Sequence, residues 1–379
     1  MWKIPLSDVV FGNDEFSAVQ KVLESGWLTM GAITQDFESK FAAYTGAKHA
    51  FAVNNATAAL HLACRAIGLG PGDEVIVPSL TFVATANAIR YTGATPVFVD
   101  ITSETDLTIS VDAIEKAITP KTRAIMVMHY SGYACDMPRI MEIASKNHLQ
   151  VIEDAAHAAG SFLEGRHLGT WGVAGCFSFF SNKNMTTGEG GMVVTDDDEI
   201  AEKFQVLRSH GMTSMTWDRH QGHAWSYDVV ALGFNYRIDE IRSALGRAQL
   251  AKLNDFNSRR RELTQLYTEM LQEITPDVTI PFINHQGISA CHIMPVVLPA
   301  KTDRLHFMEK MKEQGIQTSI HYPPIHKFSA FKNSFDRPLS LQVTEEVANR
   351  EVTLPLYPTL TNDQLALVVE AVGNSFKPD

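Results

Sequence analysis

Short apolar runs of strand length alternate with amphipathic stretches of helix length through the first half of the chain. The strand-like runs are Glu74 to Val77, Pro96 to Val99, Ala124 to Met128, Gln150 to Ile152, Ala174 to Phe179 and Gly191 to Val194. The helical stretches are Phe16 to Glu24, Gln35 to Tyr44, Ala56 to Ile67, Val111 to Ala117 and Met137 to Lys146. Because such alternation lays successive strands side by side and passes helices over them, we predict a mostly parallel sheet with helices on both faces.

The pattern changes to one long, charge-rich helix from Asp239 to Leu271. Beyond this helix, two further segments read as strands, Cys291 to Leu298 and Thr318 to His321. A helical stretch from Asp303 to Gln314 separates them. The most polar part of the long helix, Arg259-Arg260-Arg261, could bind phosphate, but we interpret it as a solvated helix face.

The chain is long enough for two domains. Its 379 residues exceed the roughly 250–300 at which one hydrophobic core stops growing. We place the boundary in the long helix, which gives a large domain of residues 1–250 and a smaller C-terminal α/β domain of residues 251–379. A net charge of −11 argues against a protein that binds nucleic acid or an anionic membrane surface.

The absence of targeting patterns favours a cytoplasmic protein. No apolar run reaches the roughly 18–20 residues of a membrane span, and residues 1–5 carry no signal-peptide pattern. The four cysteines lack CxxC spacing, so we expect them to be reduced and buried, with neither a metal site nor disulfides. They are Cys64, Cys135, Cys176 and Cys291.

One lysine lies on a loop between two strand-like runs. Lys183 is flanked by aromatic, hydroxyl and amide side chains, and three glycines follow within residues 188–191. Burial lowers the pKa of a lysine, and a neutral amine is the form that attacks an aldehyde to make a Schiff base. A solvated loop lysine is the alternative. We interpret Lys183 as a candidate for covalent attachment of an aldehyde cofactor.

A carboxylate follows the strand-like run that ends at Ile152. In a parallel α/β sheet the carboxyl ends of the strands face the ligand crevice, which places Asp154 there. Enzymes that use pyridoxal 5′-phosphate (PLP) need a carboxylate against the pyridine nitrogen, because the protonated ring is the electron sink. A helix cap is the alternative role for Asp154. Asn55-Ala56-Thr57 precedes a helix, and the free amides of Ala56 and Thr57 suit a phosphate group.

The order and spacing of these motifs resemble those of the DegT/DnrJ/EryC1/StrS family of PLP-dependent sugar aminotransferases. The resemblance covers nearly the whole chain, from Ser25 to Pro358. The motifs that carry it are Asn55-Ala56-Thr57-Ala58-Ala59-Leu60-His61, Pro78 to Thr85 with Thr81-Phe82, Glu153-Asp154-Ala155-Ala156-His157, Ser178 to Gly191, and Gly233-Phe234-Asn235-Tyr236-Arg237. Residues 55 and 56 depart from the family pattern, which has Ser-Gly-Thr where this chain has Asn55-Ala56-Thr57.

The resemblance implies fold type I of the PLP-dependent transferases, with Lys183 as the Schiff-base lysine and Asp154 on the pyridinium. It also implies roles for further residues. Ser178 contacts the phosphate, Phe82 lies against the ring, and His157, where relatives often have Gln, contacts the ring or its phenolic oxygen. Asn235 binds the phosphate of the partner subunit in a homodimer, and the sugar pocket is lined by Thr29, Gly31, His321 and Tyr322. Metal binding by the two histidines of residues 321–326 is the alternative that we do not favour.

The reaction implied is transamination. An amino donor, expected to be L-glutamate, passes its amino group to the cofactor, which becomes pyridoxamine 5′-phosphate (PMP), and a keto sugar, expected to be nucleotide-linked, then receives it. The alternatives are a PMP-dependent sugar dehydratase, which has histidine in place of the lysine, a free keto sugar or keto-cyclitol as acceptor, and a regulatory PLP-binding protein. The sequence leaves open the sugar, the nucleotide and whether C3 or C4 is aminated.

Overall fold

The computed structural model describes residues 2–213, 222, 226–332 and 339–377. A seven-stranded sheet lies at its centre, made of β1 His49–Val53, β2 Glu74–Pro78, β3 Thr95–Val99, β4 Thr122–Met128, β5 Gln150–Asp154, β8 Ala174–Ser178 and β9 Gly191–Thr195. The order of the strands across the sheet is β1-β9-β8-β5-β4-β2-β3. Neighbours are parallel from β3 to β8, whereas β9 runs opposite to both of its neighbours. The predicted mostly parallel sheet is therefore confirmed.

Helices cover both faces of this sheet. In the described part of the chain the helices are α1 Asn13–Ser25, α2 Ala32–Thr45, α3 Ala56–Ala66, α4 Val83–Tyr91, α5 Val111–Ala117, α6 Met137–Lys146, α7 Asp198–Leu207, α8 Glu240–Ile274, α9 Arg304–Glu313, α10 Ser329–Lys332, α11 Gln342–Arg350 and α12 Asn362–Ser375. Of these, α9 and α12 pack in a separate C-terminal hydrophobic cluster and not on this sheet. Side-chain caps fix several starts, as when the Asn55 Oδ1 accepts from the Ala58 amide at α3. The predicted helices and strands before residue 200 are confirmed, with ends displaced by at most three residues.

Helix α8 packs against two hydrophobic clusters. Leu250 and Leu253 in its first half join the cluster beside the large sheet. Leu263 and Leu271 in its second half join a cluster with a small antiparallel sheet, made of β10 Met294–Val297 and β11 Glu351–Leu354. A short hairpin, β6 Phe162–Leu163 with β7 Arg166–His167, completes the strands. The division into residues 1–250 and 251–379 stays a prediction.

Three predictions for the C-terminal part are wrong in detail. Residues 318–321 do not form a strand, because Ser319 makes one isolated bridge to Thr353 and the amide of His321 then donates to the side chain of Glu351 instead of continuing the ladder. The strand predicted from Cys291 begins only at Met294, since Cys291 has φ 46° and interrupts the extended chain. Arg260 is buried rather than solvated.

The burial of Arg260 has a clear cause. Its Nη1 donates to the main-chain oxygens of His292, at 3.1 Å, and Leu356, at 2.8 Å. The guanidinium thus joins α8 to two segments of the C-terminal part.

The four cysteines are buried, as predicted, and no disulfide joins any two of them in the structure. Among the described residues, no helix is both long and apolar enough to cross a bilayer.

Candidate active site

A cleft of about 880 Å³ opens at the carboxyl ends of β4 and β5, beside the start of α3. It brings together nine of the residues singled out from the sequence: Ala56, Thr57, Phe82, Asp154, His157, Ser178, Lys183, His321 and Tyr322. Thr29, Gly31 and Asn235 are not among the residues that line the cleft in this single chain. Most of the predicted site therefore converges from distant parts of the sequence.

Lys183 lies on the loop between β8 and β9, which folds back on itself. The amide of Phe179 donates to the Gly190 oxygen, and the amide of Thr187 donates to the Phe179 oxygen. A side chain at Gly191 would meet the backbone of Asn55 and Ala56 at 2.7 Å, so glycine lets this loop approach the start of α3.

Burial lowers the pKa of Lys183 to about 8, and the negative charge of Asp154 opposes that shift. Part of the Lys183 population is then a neutral amine near pH 7–8, as Schiff-base formation requires. The Lys183 Nζ lies 3.2 Å from the Nε2 of His292, a residue that the sequence analysis did not select. The only signal in the sequence was a polar side chain inside the apolar run from Cys291 to Leu298.

Asp154 ends strand β5 and is almost fully buried. Its Oδ2 accepts from the Thr85 hydroxyl at 2.7 Å, and its Oδ1 accepts from the Ala156 amide at 3.1 Å. Burial raises the pKa of Asp154, whereas these two hydrogen bonds lower it. No helix begins in the residues that follow, so the alternative role of Asp154 as a helix cap has no support.

The N-terminus of α3 lines the cleft as well. The first turn of a helix has amides without partners inside the helix, and Ala56 and Thr57 provide them here. Ser178, at the end of β8, lines the same cleft. These groups present hydrogen-bond donors and the positive end of a helix dipole, which favour an anion.

His157 is held as one tautomer of the neutral ring. Its Nδ1 accepts from the Ser131 amide at 3.2 Å, so its proton is on Nε2, which lies 2.9 Å from the Tyr322 hydroxyl. Burial, followed by the charge of Lys183, lowers the pKa of His157 well below its usual range. Tyr322 thus accepts from His157 and keeps its own proton to donate into the cleft.

Two side chains of strand β11 that the sequence analysis missed anchor the segment that carries His321 and Tyr322. The His321 amide donates to the Glu351 carboxylate at 2.7 Å, and the His321 Nδ1 lies 2.8 Å from the Thr353 hydroxyl. Thr353 also contacts Glu351 at 2.6 Å. Burial raises the pKa of Glu351 to about 8 and lowers that of His321 to about 3. Strand β11 therefore sets the position of His321.

The three predicted residues outside the cleft have other surroundings. Thr29 forms an isolated bridge with Asp239, and the Gly31 amide donates to the buried carboxylate of Glu240 at 2.9 Å. Asn235 is exposed and bridges Ser209 through its backbone. Their roles in binding stay predictions.

The arrangement of these groups fits PLP. The cleft offers amide donors for a phosphate at one end, a buried carboxylate for a ring nitrogen, and a lysine of lowered pKa for an aldehyde. Phe82 presents an exposed ring in the same cleft, with its centroid 5.9 Å from that of Tyr322. Lys183, Asp154, Ala56, Thr57 and Ser178 are the residues that would hold the cofactor.

Comparison with known proteins agrees with this site. Residues 10–373 match the DegT/DnrJ/EryC1/StrS aminotransferase family, and the chain belongs to that family. It is 40% identical to the spore coat polysaccharide biosynthesis protein SpsC of Bacillus subtilis, over 99% of this chain and 97% of that protein.

Two solved structures show the same fold over almost the whole chain. PseC of Helicobacter pylori, an aminotransferase involved in the biosynthesis of pseudoaminic acid, aligns with a TM-score of 0.92 and 30% identity, over 98% of this chain and 99% of that one. The PMP form of Spr1654 from Streptococcus pneumoniae, a putative sugar aminotransferase, aligns with a TM-score of 0.92 and 29% identity, over the same shares of the two chains. Spr1654 is also known in a PLP form. The predicted fold type I is thereby confirmed.

Proposed function

We propose that this protein transfers an amino group from L-glutamate to a nucleotide-linked keto sugar, with PLP held on Lys183. The family and the sugar aminotransferases that share the fold support the reaction class. The observation that carries the proposal is the meeting of Lys183, whose pKa is lowered to about 8, with buried Asp154 in a cleft that ends at the N-terminus of α3.

The side chains that line the cleft have separate roles in the proposed reaction. PLP, when bound, supplies the electron sink that makes the α-proton of the amino donor acidic. The Lys183 Nζ acts as acid and base for that proton, because its lowered pKa allows both protonation states near neutral pH. Asp154, which accepts a hydrogen bond from the Thr85 hydroxyl, would as a carboxylate hold the protonated ring nitrogen of the cofactor. Tyr322, oriented by His157, donates a hydrogen bond into the cleft.

We further propose a cytoplasmic homodimer with shared active sites. Asn235 is exposed, whereas the next residue, Tyr236, lines the cleft of its own chain. An exposed amide so close to one cleft suits a contact to the phosphate of a second subunit. The buried, unpaired cysteines agree with a reducing compartment.

An acceptor screen tests the proposed function. The PLP-loaded protein is first treated with L-glutamate, which should abolish the visible absorbance of the lysine-bound cofactor. Keto sugars are then added, with and without a nucleotide, together with keto-cyclitols. A nucleotide-linked keto sugar should restore the absorbance in one turnover, and mass spectrometry should show the amino sugar. Return of absorbance only with a free keto sugar or a cyclitol would contradict the nucleotide linkage, and no response to L-glutamate would contradict the donor.

A further inference from the structure

A directional chain of buried hydrogen bonds leads from the main chain to Lys183. It begins at Asn257, whose Nδ2 donates to the Ala159 oxygen at 2.9 Å. The Asn184 Nδ2 donates to the Ala290 oxygen at 2.8 Å and to the Asn257 Oδ1 at 2.7 Å. A main-chain oxygen can only accept, so these contacts fix which end of the Asn184 amide carries its oxygen.

The same chain fixes the tautomer of His292. The Asn184 Oδ1 lies 2.9 Å from the His292 Nδ1, and an amide oxygen only accepts, so the proton of the imidazole is on Nδ1. The Nε2 then carries a lone pair and faces the Lys183 Nζ at 3.2 Å. Arg260 holds the main-chain oxygen of His292 at 3.1 Å, which fixes the backbone as well.

We propose that His292 is a positioning residue that accepts a hydrogen bond from Lys183 through its unprotonated Nε2. It holds the free amine of Lys183 during the half of the reaction in which the cofactor carries the amino group. This role rests on the proposed function of Lys183. Efficient proton transfer requires that the Lys183 Nζ lies within reach of the reacting atoms, and an amine held in one place meets that requirement in each cycle.

Burial and nearby positive charges keep His292 neutral. Burial lowers the pKa of His292 well below its usual range, and the charges of Lys183 and Arg260 act in the same direction. The other titratable groups that act electrostatically with Lys183 are Asp154, His157 and His321. As a neutral ring with a lone pair on Nε2, His292 can accept from Lys183 in either protonation state of the amine.

The test measures the pKa of Lys183 in cofactor-free protein. Lys183 is acetylated competitively over a series of pH values, and the modified peptide is quantified by mass spectrometry. A hydrogen bond to an ammonium is about twice as strong as one to a neutral amine, so His292→Leu should lower the pKa by about one pH unit. His292→Gln keeps an acceptor at the same reach and should stay within about 0.3 units of the wild-type value.

A matched control and a second measurement protect the test. His167 is another buried imidazole, away from the cleft, and His167→Phe should leave the pKa of Lys183 unchanged. Selective ¹⁵N labelling of histidine in the wild-type protein reports the tautomer of His292 directly, whether or not His292→Leu folds. An unprotonated Nε2 supports the role of His292, and a protonated Nε2 overturns it. An unchanged pKa in folded His292→Leu also overturns it.

The two proposals fail separately. If borohydride reduction of the wild-type protein places no PLP on Lys183, the proposed function of Lys183 is wrong. If PLP is attached there but His292→Leu leaves the pKa of Lys183 unchanged, only the role of His292 is wrong. In the loaded enzyme, His292→Leu should lower kcat while the KM for L-glutamate changes little, because His292 contacts the lysine and not the donor.

Discussion

Replacement of Thr85 by valine tests how the protein keeps Asp154 ionised. Thr85 is fully buried, and its Oγ1 lies 2.7 Å from the Asp154 Oδ2. The main-chain oxygen of Phe82 lies 3.0 Å from the same hydroxyl, but a charged carboxylate is the stronger acceptor. Valine keeps the shape of threonine and removes the hydroxyl, so the change removes the hydrogen bond to Asp154 together with the weaker neutral contacts to Phe82 and Thr81.

The magnitude follows from the charge of the acceptor. A hydrogen bond to a charged group contributes about 1.5–3 kcal/mol. Without cofactor, Asp154 can avoid much of that loss by taking up a proton, since burial already raises its pKa. With a protonated pyridine beside it, Asp154 must be ionised, so the loss falls on the complex. We take the low end of that range of hydrogen-bond free energies, about 1.5–2 kcal/mol. Thr85→Val should then weaken PLP binding roughly 10- to 30-fold.

The assay is a titration of cofactor-free protein with PLP, followed by visible absorbance. Thr85→Ser keeps the hydroxyl and should bind within about threefold of wild type. Thr81→Val removes a neutral hydrogen bond to Thr85 at 2.8 Å and should have a smaller effect than Thr85→Val. If Thr85→Val binds as tightly as wild type while Asp154→Asn binds much more weakly, the reasoning about Thr85 is refuted.

Three further predictions concern the same site. The pKa of Lys183 falls from 10.5 in the unfolded chain to about 8 in the folded protein. Its contribution to the free energy of unfolding is therefore fully present above pH 10.5 and is lost as the pH falls from 10.5 through 8. Denaturation of cofactor-free protein should therefore show Lys183→Met more stable than wild type at pH 7.5, with the difference narrowing towards pH 10; a constant difference would contradict the shift. Asp154→Asn should fold normally and lose most turnover, whereas near wild-type turnover would remove Asp154 from the mechanism. Mixed dimers of Lys183→Ala and Asn235→Ala, each inactive alone, should regain up to about half of the activity of a wild-type dimer; verified hybrids that stay inactive would place Asn235 in its own chain's site.

The sequence predicted the sheet and the two central residues because their signals are local. Lys183 stands in an uncharged loop before glycines, and Asp154 follows a strand at its carboxyl end. The supporting side chains carry no local signal. His292 and Glu351 lie more than a hundred residues from Lys183 and act only through tertiary contacts.

Two errors show the limits of pattern reading in physical terms. Arg260 looked solvated because its neighbours are charged, but main-chain oxygens of two distant segments satisfy its guanidinium. Residues 318–321 looked like a strand, but the carboxylate of Glu351 takes the His321 amide that a regular ladder would need. In both cases the deciding partner lies far away in sequence or belongs to the backbone.

The central claim is that Lys183 holds the cofactor. Protein saturated with PLP is reduced with borohydride, digested, and mapped by mass spectrometry. The account predicts a pyridoxyl group on Lys183, and loss of that label in Lys183→Ala. Label on a different lysine, or none on any peptide of the saturated protein, would contradict the account.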